Sequence, residues 1–171
     1  RFNPLLDGES DSENPLVADL SKSTGVITFV ATRGFGFVAQ LTANVYLQLA
    51  TFPPVKRMTI TCDECPSWSM VLAPNKDISS RNSYDVPDGA EFLSVDGEVT
   101  VGDVLNVIRQ TLQRQITQIE WERVPESRLL AVKQAFNDRC SRSGPLRGVE
   151  QSQGIKRVDL LEGKYMFRGL V

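Results

Sequence analysis

The 171-residue sequence contains no histidine, and that single absence excludes several mechanisms. A Ser-His-Asp triad, a Cys-His nucleophile pair, a histidine-ligated metal and a switch titrating near neutral pH all need imidazole. Cysteine is scarce too: Cys62, Cys65 and Cys140 are three in number, an odd count that makes no disulfide framework. No run of about 18 apolar residues is present to span a bilayer. No basic-apolar-small leader opens the chain, and no Asn-x-Ser/Thr acceptor occurs in it. A cytoplasmic or nuclear protein with no membrane partner is the expectation. P-loop, nucleophile-elbow and dinucleotide fingerprints are also missing, since Gly34-Phe35-Gly36 alone is too short to count.

What is present describes an ordinary globular domain: 41% hydrophobic and 23% charged residues, enough to bury a core at this length. Net charge is -2 and the pI about 5.3, so no strong field for phosphate backbones is expected and nucleic acid is disfavoured as a partner. The sum hides an asymmetry. Residues 1–99 hold seven basic and thirteen acidic side chains, net -6, whereas residues 100–171 hold twelve basic and eight acidic ones, net +4. Two halves, or two copies, can attract each other through such a split, though salt screens it.

Residues 1–14 read as a solvated acidic arm carrying Asp7, Glu9, Asp11 and Glu13, with Phe2, Leu5 and Leu6 tucking one end onto the core. The spacing lacks the central Gly and terminal Glu of a calcium loop, so no metal is assigned to it. Residues 15–171 read as one domain. Val26 to Ala31 alternate like a strand, and Arg33-Gly34-Phe35-Gly36-Phe37-Val38-Ala39 follows, matching the RNP1 pattern of RNA-recognition motifs except for Gln40 in place of the last aromatic. In that reading Arg33, Phe35 and Phe37 form a base-stacking surface for single-stranded RNA. No suitable partner strand lies upstream, however, and the chain is acidic. A core strand whose glycines relieve crowding is the preferred reading.

Leu47 to Pro54 is a short apolar piece closed by two prolines. Met58 to Cys62 and Ser67 to Leu72 alternate as two strands around Asp63-Glu64-Cys65-Pro66. Cys62 and Cys65 have the spacing of a redox dithiol or half a zinc site. With only Cys140 left, one chain cannot complete the zinc set. Two acidic neighbours would raise a thiol pKa there, so the pair reads as incidental and no cofactor is expected. Residues 73–98, rich in Asn, Asp, Ser, Pro and Gly, read as a long surface loop whose centre, Ala90 to Val95, could form an edge strand.

The last seventy residues carry the clearest local signals. Thr100-x-x-Asp103 and Thr117-x-x-Glu120 are capping patterns: the Thr hydroxyl accepts from a first-turn N–H and the carboxylate sits at the positive end of the helix. Val101, Val104, Leu105, Ile108 and Leu112 follow the first cap at helical spacing. The second opens a short turn bearing Trp121. Pro125 suits the first turn of a third helix reaching about Cys140, with Leu129, Val132, Phe136 and Cys140 on one face. A Gly/Ser-rich connection, Ser141 to Gln153, should lead into a C-terminal hairpin of Ile155–Leu161 and Lys164–Leu170 around Glu162-Gly163. The expected fold is α+β: a mostly antiparallel sheet with two or three helices on one face.

Several strings together resemble a family. Val99-Thr100-Val101-Gly102-Asp103-Val104-Leu105, Glu120-Trp121, Ala135-Phe136-Asn137-Asp138-Arg139-Cys140, Gly154-Ile155-Lys156-Arg157-Val158-Asp159-Leu160-Leu161-Glu162-Gly163 and Phe167-Arg168-Gly169-Leu170 are similar, in order, to a fungal domain of unknown function found chiefly in basidiomycetes. Phe2-Asn3-Pro4-Leu5-Leu6, Ala50-Thr51-Phe52-Pro53-Pro54, Met58-Thr59-Ile60 and Pro66-Ser67-Trp68 fit as well. The cysteine pair, the extra Ser67 and the RNP1-like string depart from its pattern. The resemblance implies a fungal source and one domain, and no activity.

Hydrolysis by paired carboxylates would need no histidine but would need two acids at a defined separation. Asp103 and Glu120 are better explained as caps, and no catalytic residue is assigned. Arg139, Arg157 and Asp159 would form a polar cluster if the last helix packs on the hairpin, and a structural ion-pair group is the simpler account of it. The expected function is a non-catalytic interaction or scaffold domain whose partner is another protein or a second copy.

Overall fold

The computed structural model describes residues 1–8, 18–21, 28–30, 38–40, 43–62, 68–72, 97–167 and 169–171. In chain order its elements are β1 (Ala18–Asp19), β2 (Thr28–Val30), β3 (Val38–Gln40), α1 (Ala43–Tyr46), β4 (Met58–Thr61), β5 (Ser69–Leu72), α2 (Val101–Leu112), α3 (Gln118–Glu122), α4 (Glu126–Arg142), α5 (Arg147–Ser152) and β6 (Met166–Phe167), with 3₁₀ segments at Gly144–Leu146 and Arg157–Leu161. The protein is α+β. Among the described residues the strands form three separate antiparallel pairs, β1 with β6, β2 with β3 and β4 with β5, rather than one wide sheet.

Period-two alternation decides which face of the β4–β5 hairpin is covered. Met58 faces Leu72 and Ile60 faces Met70 in register; Ile60, Met70 and Leu72 are buried, while Thr59, Thr61, Ser69 and Val71 face outward. The buried face packs on α2, where Val101, Val104, Leu105, Ile108 and Leu112 form the facing stripe. Thr100 and Asp103 make a full capping box at the start of α2. The Thr100 hydroxyl accepts from the Asp103 N–H at 3.2 Å, and the carboxylate accepts from the Thr100 N–H at 3.0 Å. One edge also meets the helix start: Leu49 bridges Thr100, and the adjacent Ala50 N–H donates to the Val99 carbonyl at 2.9 Å.

Two stretches differ from the sequence reading. Ile155 to Leu161 is no strand: Arg157–Leu161 winds as 3₁₀, with Val158, Asp159, Leu160 and Leu161 all buried. Val158 and Leu160 alternate as a strand face would, but the Asp159 carboxylate turns inward, accepting from the Lys156 N–H at 2.9 Å, and tightens the turn instead. Glu162 and Gly163, at φ of 51° and 92°, reverse the chain, and β6 then pairs with β1 through Ala18–Phe167 and Asp19–Met166. Only the turn and second strand of the expected hairpin are present. The second difference is Ser141 to Gln153, read as a connection and found as the end of α4, a 3₁₀ turn and α5.

The first residues are more than the tucked end of an arm. Asn3 is 3% exposed and Leu6 is fully buried, while Phe2 bridges Thr51 and Asp7 bridges Leu170. The remainder of the arm, residues 9–14, lies outside the described residues.

Candidate functional site: a closed charge network around Arg139

Arg139 lies on the buried side of α4 with Val132, Ala135 and Cys140, and is 2% exposed. A guanidinium there is tolerable only if its donors are matched. Asp159, fully buried, takes a bidentate grip: Nε to Oδ1 and Nη2 to Oδ2, both at 2.8 Å. Nη1 pairs with Glu150 Oε2 and Nη2 also donates to the Gly154 carbonyl at 3.0 Å. Glu150 in turn accepts from Lys156 Nζ at 2.8 Å, and Lys156 donates on to Gln113 Oε1 at 3.2 Å. Gln113 Nε2 closes the chain on the Leu20 carbonyl at 2.8 Å. Two cations and two anions thus tie α4, α5, the 3₁₀ segment and the end of α2 into one neutral cluster.

Burial lowers the affinity of Arg139 for its proton, but the hydrogen bonds and charge of Asp159, with Glu150 behind them, outweigh it and the net shift is upward. The neighbouring Cys140 thiol, 1% exposed, is pushed up chiefly by burial. A thiol so placed stays protonated and inert. The cluster therefore offers no activated nucleophile, and its carboxylates are held by cations that they neutralise.

A second polar group sits at the start of α3. Glu120 divides its oxygens: Oε2 accepts from the Thr117 N–H at 2.8 Å and its hydroxyl at 3.0 Å, completing a capping box, while Oε1 accepts from Trp68 Nε1 at 2.9 Å. Arg157 stacks 5.2 Å above the Trp68 ring. Its Nε lies 2.8 Å from Glu120 Oε1 without the alignment of a hydrogen bond, so the contact is an ion pair over an aromatic face. Burial raises the Glu120 pKa, but the Thr117 bonds, Arg157 and Trp68 together win, and the carboxyl lies below its ordinary 4.5.

Of the expected polar cluster, Arg139 and Asp159 meet and Arg157 does not join them; it belongs to Glu120 and Trp68. A 3₁₀ turn sends residues 157 and 159 apart, where a strand would have set them on one face. Glu150, Lys156 and Gln113 were missed by sequence reasoning. One signal was available for them: Arg139 stands seven residues after Val132, on the apolar stripe of α4, and a buried arginine demands carboxylates. Arg33, Phe35, Phe37 and Cys65 lie outside the described residues. Among the described residues no group of three His, Cys, Asp or Glu side chains could hold a metal ion, and no helix is long and apolar enough to cross a membrane.

Fold and polar core together define a small α+β domain closed around a self-neutralised charge cluster. Over residues 16–171 the chain matches the model of a family of unknown function, DUF6699, and it belongs to that family. No curated protein and no solved structure matches it.

Proposed function

We propose that the domain is a non-catalytic interaction module, working in the cytoplasm or nucleus, with a second copy of itself among its partners. The observation that carries this reading is where the side chains capable of binding stand. The strongest ionic groups neutralise one another inside, while Leu130 is 80%, Ile119 62%, Val149 53% and Leu146 50% exposed on the helices and the adjoining 3₁₀ turn. Single exposed apolar residues are ordinary, but Leu146 and Val149 lie three apart on consecutive turns, the spacing at which apolar side chains form a joint surface. The opposite net charges of the two sequence halves favour pairing between copies at low salt.

Sedimentation velocity of the purified chain at rising concentration is the direct experiment, run beside affinity capture from a basidiomycete lysate, the source the family resemblance implies. Concentration-dependent association that weakens in Leu146→Asp supports the reading. A strict monomer at high concentration that also retains no partner overturns it.

A further inference from the structure

Residues 1–8 lie in a groove with one edge on each side. The first edge is the segment 48–52. Here the Asn3 N–H donates to the Ala50 carbonyl at 2.8 Å, Asn3 Nδ2 donates to the Leu49 carbonyl at 2.9 Å and to Gln48 Oε1 at 3.2 Å, and the Phe52 N–H donates to the Arg1 carbonyl at 2.8 Å. The second edge is 169–170, where the Gly8 N–H donates to the Leu170 carbonyl at 2.9 Å and the Leu170 N–H to the Leu6 carbonyl at 2.6 Å. Two side chains anchor the segment, the fully buried Leu6 and the nearly buried Asn3. The segment pairs at its two ends and turns between them, the Leu6 N–H donating to the Asn3 carbonyl at 2.8 Å, so main-chain bonds at both edges hold it while Asn3 and Leu6 supply the specificity. Gly169 is built for it: at φ +119° a Cβ there would stand 2.4 Å from the Gly8 Cα and N.

We propose that residues 1–8 are an exchangeable strap, and that the groove between segments 48–52 and 169–170 also receives residues 1–8 of a second copy. This goes beyond the self-association reading: it is a second contact between copies, separate from the Leu146–Val149 surface. Every bond made to the chain's own strap is available, unchanged, to the identical strap of another molecule, which is the condition for swapping an element between copies. Residues 9–17 join the strap to β1, and nine residues reach at most about 30 Å. A tether of that length gives the chain's own strap an effective concentration of roughly millimolar order. Exchange is therefore visible where one copy's own strap has been disabled.

Two variants of the 171-residue chain supply that test. Leu6→Asp puts a charge where the strap inserts and leaves the groove intact, whereas Gly169→Val blocks the groove and leaves the strap intact. By light scattering, at a concentration where the wild-type chain is a monomer, each alone is expected at the 19.0 kDa of one chain, and their equimolar mixture at twice that mass. The double variant mixed with Leu6→Asp should stay monomeric. Two folded variants that remain monomeric when mixed overturn the exchange, and leave self-association standing if the wild-type chain still associates. Should either variant fail to fold, amide exchange of the wild-type chain decides. The Asn3, Gly8 and Leu170 amides are expected to exchange about tenfold or more faster than those in the middle of α2, by local opening of the strap. Equal rates overturn the proposal.

Discussion

Arg139 shows how a residue that no local pattern favours in a core can organise one. Its guanidinium is matched by Asp159, Glu150 and the Gly154 carbonyl, so the cost of burial is met by geometry that no other side chain reproduces. Arg139→Met leaves two carboxylates buried beside a single lysine. The expected loss is about 3–5 kcal/mol of unfolding free energy, the range for breaking a buried pair, read as a lower urea midpoint. Replacing Arg139 and Asp159 together by apolar residues should cost less than Arg139→Met alone, because the only carboxylate then left facing the lost guanidinium is Glu150, which keeps its pair with Lys156; an equal or larger loss would mean that packing, not charge, is what the site supplies. Cys140, beside it, gives a kinetic test. In a Cys62→Ser, Cys65→Ser background its raised pKa and 1% exposure should make labelling by a thiol reagent wait for unfolding, and rapid labelling of the folded chain would contradict the burial described here.

At the level of elements, the helix starts are where sequence and structure agree most closely, because Thr-x-x-Asp and Thr-x-x-Glu place donors and acceptors by local geometry alone. Thr100→Ala is expected to cost about 1 kcal/mol, the usual worth of a cap, checked by the same urea titration. Glu120 adds a pH dependence whose sign follows from its lowered pKa. The folded state holds the carboxylate charged more strongly than the unfolded chain does, so the contribution is fully present above about 4.5 and is lost as pH falls through the lower folded value. Glu120→Gln should flatten that acid limb and alter Trp68 emission, since the indole N–H donates to this carboxylate. Helices α2 to α4 and the β4–β5 hairpin were legible because periodicity and caps are properties of neighbouring residues. The 3₁₀ segment Arg157–Leu161 was not: Asp159 turns inward toward a guanidinium twenty positions earlier, and that contact overrides an alternation that otherwise reads as strand. The polar cluster was half legible for the same reason. Arg139 and Asp159 could be named, but Glu150 sits in a stretch whose Gly and Ser content masks α5.

At the level of the whole molecule, the limits of the folded unit do not coincide with the stretch that marks the family. The family match begins at residue 16, yet Leu6 is as buried as any residue of α2 and Asn3 bonds to three successive residues of the 48–50 segment. A chain beginning at residue 9 keeps every element from β1 to β6 and loses the strap. Removal of a buried leucine alone costs about 2–5 kcal/mol, so the shortened chain is expected to unfold at a clearly lower urea concentration while keeping the helical signal of α2 and α4. Added peptide of residues 1–8 should restore part of the difference, since a ligand that binds only the folded state stabilises it by mass action, and the same peptide with Leu6→Asp should not. An unchanged urea midpoint on shortening would show that the strap rests on the domain without contributing to it, and Leu6 would then have to be replaceable by alanine without loss. The two measurements are independent, and both follow from one geometric fact: the strap closes the gap between segments 48–52 and 169–170, which lie far apart in the sequence and meet on either side of it.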